Sequence, residues 1–257
     1  MGSTGAQEDW SQIAVLEAFA DDAGDVSAIA TGMLVVAGCA AALGVAELNG
    51  RPCVLSGGAD GTTRMWDLTT WMRDRTSGQP DHGVTLIEDG FTLALATAVV
   101  HGRPVATTIT AEFGNDYGTV RLGDLSTRQQ IGEPIPHGAT AADVIEVAGD
   151  LVVVAGGEDR TLRLWDPMTA RPVGEPLAQD IIVGERSVDT TLMDGRPAVV
   201  ACGLNSAKAH VAWAWDSADR RKIGPDLAFP GPVRTTSAWA GKLAVGFGGE
   251  AVILSRE

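Results

Sequence analysis

One unit recurs five times along this chain: an apolar strand, a glycine turn, a second strand, a bend and a third strand. The turn glycines set the register, at Gly50, Gly102, Gly149, Gly195 and Gly241. Three are followed by Arg-Pro, at Arg51-Pro52, Arg103-Pro104 and Arg196-Pro197. Asn49-Gly50 and Asp194-Gly195 are strong two-residue hairpin signals, because both central positions of such a turn need positive φ. The residue two before each glycine is apolar: Leu48, Val100, Val147, Met193 and Trp239. Two residues earlier stand Ala46, Ala98, Ile145, Thr191 and Ser237, on the same face by period-2 alternation. The second strands are continuous apolar runs: Val54-Leu55, Val105-Ala106, Val152-Val153-Val154, Val199-Val200 and Leu243-Ala244-Val245. Such runs are expected of strands covered on both faces.

A period of roughly 40–50 residues made of strands indicates a β-propeller blade. The expected fold is therefore all-β: a single propeller domain over residues 1–257, with four-stranded antiparallel blades and almost no helix after residue 25. Fourth strands are expected around Gly78-Gln79-Pro80, Gly132-Glu133-Pro134, Gly174-Glu175-Pro176 and Gly224-Pro225.

Third strands end in Trp66-Asp67, Trp165-Asp166 and Trp215-Asp216. Together with the Gly-Arg-Pro turns and Gly-Glu-Pro segments, they make residues 40–257 resemble the WD-repeat β-propeller family, in its bacterial form. The resemblance implies a hydrogen-bonded tetrad in each blade, made of a His, a second-strand Ser/Thr, a bend Asp and a third-strand Trp. The first unit matches with Ser56, Asp60 and Trp66 but has no His. The third matches with His137, Asp159 and Trp165 but has Ala155 at the Ser/Thr position. The second unit has Gly123 in place of Trp, so the locking of blade to blade is expected to be uneven. The resemblance also implies a scaffold that binds other proteins. No fourth strand follows the fifth unit, and the resemblance implies that an N-terminal segment closes the ring as an outer strand beside Val252–Leu254. If Leu34-Val35-Val36-Ala37 is that strand there are five blades, which the short link Cys39–Ala42 favours. If Ile13-Ala14-Val15-Leu16 is that strand there are six. Residues 1–25 are then an N-terminal extension or the closing segment itself.

A net charge of −14 argues against sequence-independent nucleic-acid binding and against an anionic membrane surface. It fits a soluble cytoplasmic protein. The N-terminus lacks the basic segment and apolar core of a secretory signal. Cys39, Cys53 and Cys202 are widely spaced in apolar runs and read as small buried thiols. His82, His101, His137 and His210 show no metal-ligand spacing, and no phosphate-binding loop or nucleophile elbow occurs. No catalytic residue, metal or cofactor is therefore assigned.

Three long departures from the repeat fall in loops that a propeller places on one rim. They are residues 81–91, with Asp81 and His82; 111–118, with Glu112, Phe113, Asp116 and Tyr117; and 204–210, with Asn205, Lys208 and His210. Loops on rigid scaffolds carry function. The candidate binding residues are accordingly His82, Phe113, Asp116, Tyr117, Asn205, Lys208 and His210, on a non-catalytic scaffold for a protein or peptide partner. The alternative is an enzyme or small-ligand binder with a pocket at the channel mouth, using Glu112, Asp116, His210 and the inner-strand Glu47 and Glu146.

Overall fold

The computed structural model describes residues 40–58, 61–67, 84–88, 90–112, 115–239, 242–247 and 250–255. These residues form strands and turns only. The first sheet takes β1 (Ala40–Leu48), β2 (Arg51–Gly58), β3 (Thr62–Asp67) and β4 (Val84–Glu88) in that order. The second takes β5 (Phe91–Val100), β6 (Arg103–Ala111), β7 (Gly118–Asp124) and the first half of β8 (Gln129–Val147). That long strand then becomes the inner strand of the third sheet: Ala139 pairs with Gly118 on one side and with Gly157 on the other. The third sheet continues through β9 (Asp150–Gly157), β10 (Leu162–Asp166) and β11 (Arg171–Pro172). The fourth holds β12 (Ile182–Met193), β13 (Arg196–Leu204), β14 (His210–Asp216), β15 (Arg221–Lys222) and β16 (Leu227–Phe229). The fifth has three strands, β17 (Val233–Trp239), β18 (Lys242–Phe247) and β19 (Glu250–Ser255). Every pairing is antiparallel, and the architecture is that of a β-propeller.

The turns follow from their residues. Asn49, His101, Ala148 and Asp194 have φ of 51–54°, and the glycine after each is also positive, so these four inner hairpins close with both central residues left-handed. Where the third strands β7 and β14 end, at the same edge of the sheet as these hairpins, an aspartate turns the chain. One carboxylate oxygen of Asp124 accepts from the amides of Ser126 (2.8 Å) and Thr127 (3.0 Å), and Asp216 does the same for Ala218 and Asp219. The hairpin arginine then reaches across the sheet to that aspartate, pairing Arg51 with Asp67, Arg103 with Asp124 and Arg196 with Asp216. In the third sheet Asp150 stands where the arginine would be. Asp166 there caps its own turn instead, accepting from Met168 N and the Thr169 hydroxyl.

The core lies between sheets. Cys53, Leu55 and Met65 pack on Ala106 and Leu125 between the first and second. Ile109, Val120 and Leu122 meet Val153 and Ala155 between the second and third. Val152, Val154 and Leu164 meet Val199, Ala201 and Trp215 between the third and fourth. Val200 and Cys202 meet Leu243 and Val245 between the fourth and fifth. Consecutive inner strands β1, β5, β8, β12 and β17 pack side by side, whereas β17 and β1 are not packed neighbours. A ring of five units alone would bring those two together, so the described residues leave that arc unspanned. The N-terminal closing strand, and with it the choice between five and six blades, lies outside the described residues, as does the expected Gly78-Gln79-Pro80 strand.

One expectation about outer strands needs correction. Residues 84–88, read as part of a long loop, are β4, the fourth strand of the first sheet. The fourth strands expected around Gly132-Glu133-Pro134, Gly174-Glu175-Pro176 and Gly224-Pro225 are present, but the last two are interrupted at those residues. β11 and β15 last only two residues each, and the chain then bends at Gly174 (φ 62°) and Gly224 (φ 72°). Pro176 and Pro225 have no N–H to offer a ladder. No helix among the described residues is long and apolar enough to cross a membrane.

The hairpin before β9 gives a test. Ala148 sits at φ 54°, where an L-residue other than Asn or Asp is strained. Ala148→Asn is expected to raise the unfolding free energy by about 1 kcal/mol in urea titrations; a loss of stability would contradict the turn.

Candidate functional site

The loops joining second to third strands share one rim with the links from one sheet to the next. Glu158 N donates to Gly138 O at 3.0 Å and Ile181 N to Arg160 O at 3.2 Å, tying the loop of the third sheet to the links on either side. On this rim an open cavity of about 400 Å³ lies beside the loop of the second sheet. Glu112, Asn115, Tyr117, Thr119, Pro136 and Gly138 are among its walls. Gly90 lines it as well and must be glycine: a Cβ there would come within 2.6 Å of the Ala111 carbonyl oxygen, and its φ is +78°. Tyr117, the chain's single tyrosine, is 42% exposed at the cavity's edge. Asp116 is exposed beside it.

Asn205, Lys208 and His210 occupy the same rim two sheets away. The Asn205 side-chain oxygen accepts from Ala207 N and Ala209 N, both at 3.0 Å, which lets Lys208 adopt φ 59°. His210 begins β14, opposite Leu204 and Phe229. These three residues share the rim with Asp116 and Tyr117 but not the cavity. Asp81, His82 and Phe113 lie outside the described residues, as do Asp60, Trp71 and Met72.

The glutamates assigned to the channel lie at the other end. Glu146 precedes the hairpin at Gly149 and pairs with His101 of the neighbouring sheet at 3.1 Å, both side chains about half exposed. Glu47 holds the matching place before Gly50 and is exposed. The set Glu47, Glu146, Glu112, Asp116 and His210 is thus split between two ends of the disc. Among the described residues no group of three or more His, Cys, Asp or Glu could hold a metal ion.

The tetrads are incomplete as their residues dictate. In the first sheet Trp66 Nε1 donates to Ser56 Oγ at 2.9 Å. In the third, His137 packs against Trp165 with ring centroids 5.0 Å apart and planes tilted by 55°, but Ala155 offers no hydroxyl. Trp165 Nε1 and His137 Nε2 are consequently buried without partners. Burial lowers the His137 pKa, so its 3.8 Å approach to Asp159 is not an ion pair at neutral pH.

The residues that the sequence reading missed are buried aspartates. Asp143 on β8 and Asp189 on β12 each stand six residues before their turn glycine, and each meets a threonine on the next inner strand. The Asp143 carboxyl lies 2.7 Å from Thr190 N and 2.9 Å from the Thr190 hydroxyl. That hydroxyl is also 2.9 Å from the carbonyl of Val144. It has one proton, which the carbonyl can only accept. A protonated Asp143 donating to Thr190 Oγ1 satisfies both contacts. The Thr236 hydroxyl likewise hydrogen-bonds the Asp189 carboxyl. Burial, reinforced by the Asp189 charge, raises the Asp143 pKa to about 7, and burial raises that of Asp189 to about 6. Cys202 also faces Asp189, its thiol pushed up to about 12 by burial and that charge.

The folded protein therefore holds protons that the unfolded chain releases near pH 4. Stability falls as pH rises from about 4 to about 7, then levels. Urea unfolding should show a loss exceeding about 1 kcal/mol between pH 5 and pH 8. Asp143→Asn, whose amide can donate to Thr190, should flatten much of that slope. Equal wild-type stability at the two pH values would contradict the protonated rung.

Residues 137–166 match the family model of the WD domain, G-beta repeat. Among solved structures the chain resembles BBS1N, crystallised in complex with ARL6DN, with a TM-score of 0.57 at 11% identity over 82% of this chain and 63% of that one. It resembles U3-55K with a TM-score of 0.55 at 17% identity over 80% and 61%. It resembles the hydrazine synthase of Kuenenia stuttgartiensis with a TM-score of 0.56 at 13% identity over 83% and 64%. At such identities the likeness is one of fold, and the chain spans less than two thirds of each of these solved chains. No protein of curated function matches the sequence.

Proposed function

Because the chain is a WD-repeat β-propeller protein, we propose that it is a non-catalytic scaffold that takes a protein or peptide partner on the rim of its second-to-third-strand loops. The observation that carries this is Tyr117, a large aromatic 42% exposed beside an open cavity of about 400 Å³. Aromatics that lose little entropy on binding are the usual anchors of interfaces. Glu112 on the cavity wall and Asp116 beside it favour a basic group on the partner. Phe113, next to Glu112 in sequence, is the second proposed anchor; Lys208, His210 and Asn205 would orient a partner broad enough to cross the third sheet, with His82 a further contact. The fold asks of these loops only that they close, so their side chains are free to serve recognition. The acidic surface suits a cytoplasmic, single-domain protein that avoids nucleic acid and anionic membranes. The channel-mouth pocket of an enzyme gains no support from glutamates divided between opposite ends.

The test is affinity capture from the source cell with mass spectrometry, using wild type beside a Phe113→Ala/Tyr117→Ala double variant. Wild type should retain a partner at near-stoichiometric yield. The double variant should lose it while its melting temperature changes by less than about 4 °C, the equivalent of a small stability loss. Equal retention by both proteins would place the interface elsewhere. Retention by neither would count against a scaffold.

A further inference from the structure

The third-strand tryptophans hold one structural position. Trp66 stands opposite Val54, Trp165 opposite Val153 and Trp215 opposite Val199, each facing away from the next sheet in the chain. In the second sheet the residue at that position, opposite Ala106, is Gly123. The backbone has not collapsed around it. A Cβ built on Gly123 would meet nothing nearer than the Ala106 and Gln129 carbonyl oxygens, both at 4.0 Å, and its φ is not positive. The missing indole leaves a cavity of about 220 Å³ between the first and second sheets, lined by Thr63 and Leu86 on one side and Ala106, Thr108 and Gly123 on the other.

Thr108 decides what this space is suited to hold. It occupies the position of Ser56, which in the first sheet accepts the Trp66 N–H. Thr108 is 1% exposed, it lines the cavity, and its hydroxyl has no hydrogen-bond partner. A buried hydroxyl left unpaired costs about 1–3 kcal/mol, which an incoming donor would recover. Asp124 also borders the space, but its carboxylate is already taken up by Arg103 and by the amides of Ser126 and Thr127. Arg128, exposed, and Arg121, half-buried, bring two guanidinium groups to the lining. A dry cavity of roughly 150 Å³ accepts a benzene ring, so this one has room for a bicyclic ring.

We propose that the space between the first two blades binds an indole-class group: a flat bicyclic aromatic whose ring N–H donates to Thr108 Oγ1 as Trp66 does to Ser56, with an anionic substituent directed to Arg128 and Arg121. The group can come from a free aromatic acid or from a tryptophan side chain on another polypeptide, where a neighbouring acidic residue would supply the anion. Tyr117 does not line this space, although Arg121 borders both cavities, so the two sites can be tested apart through Tyr117 and Thr108.

Isothermal titration with indole-3-acetate and with a short peptide centred on tryptophan separates the two sources. Binding of the acid alone points to a free ligand; binding of the peptide as well points to a polypeptide side chain. Either supports the site, provided Thr108→Val weakens binding at least about 5-fold, the loss of one buried hydrogen bond. Gly123→Trp should abolish binding and raise the melting temperature by about 3 °C or more. Tyr117→Ala should leave binding unchanged. If neither probe binds wild type with Kd below about 1 mM, or if Thr108→Val binds as wild type does, the proposal is wrong, whether or not Gly123→Trp folds.

Discussion

The structure depends on one constraint: second strands that are apolar on both faces. β6, β9 and β13 are buried almost end to end, although alternate side chains point to opposite sides of the sheet. A sheet whose middle strand is apolar on both sides cannot satisfy itself. It needs a neighbour on each face, and the neighbour needs another. Stacking around an axis follows from that demand, since each interface buries the tryptophan side of one sheet against the opposite face of the sheet before it. β18 is less evenly buried, with a buried–partly buried alternation, as suits the last sheet of the described arc.

Polar groups then register what the apolar faces bring together. Within a sheet, the hairpin arginine and the third-strand aspartate span strands β2 to β3, β6 to β7 and β13 to β14, and Asp124 and Asp216 also shape the next turn. Between sheets, Asp143–Thr190 and Asp189–Thr236 fix the height of one inner strand against the next. Replacing such buried rungs by apolar pairs could be neutral for stability. Their value lies in specificity, because a threonine hydroxyl one step out of register would lose its aspartate and bury an unpaired carboxyl.

Much of this was legible in the sequence, for physical reasons. Left-handed hairpin positions restrict residue choice, so Asn49-Gly50 and Asp194-Gly195 announce their turns. Doubly buried strands have to be continuously apolar, so Val152-Val153-Val154 announces its place. Outer strands are constrained on one side only, and there the reading failed. Val84–Glu88 alternates well enough to pair with β3, yet lay hidden in what read as a loop. Gly132-Glu133-Pro134 does lie within β8, but at Gly174-Glu175-Pro176 the outer strand is broken by a bend. The incomplete tetrads could be read position by position, and Gly123 and Ala155 have the consequences their side chains dictate. The buried aspartates were missed although a signal existed: Asp143-Val144 and Asp189-Thr190 fall in the same repeat column. A carboxylate there looks like an ordinary exposed polar residue until the next sheet covers it. The rim anchors were chosen for chemistry rather than pattern. Tyr117 does stand exposed beside a cavity, but loops free of packing constraints leave no periodic trace of what they recognise.

Face-to-face burial can be tested by native-state hydrogen exchange, read by mass spectrometry, on peptides spanning β6, β9 and β13. If each of these strands is protected only because both neighbours cover it, their amides should exchange through one shared opening. All three should then show the same opening free energy and the same dependence on urea. If β9 or β13 instead opened alone, with a smaller free energy and little denaturant dependence, the sheets would be independently stable, and mutual burial would not be what holds the fold.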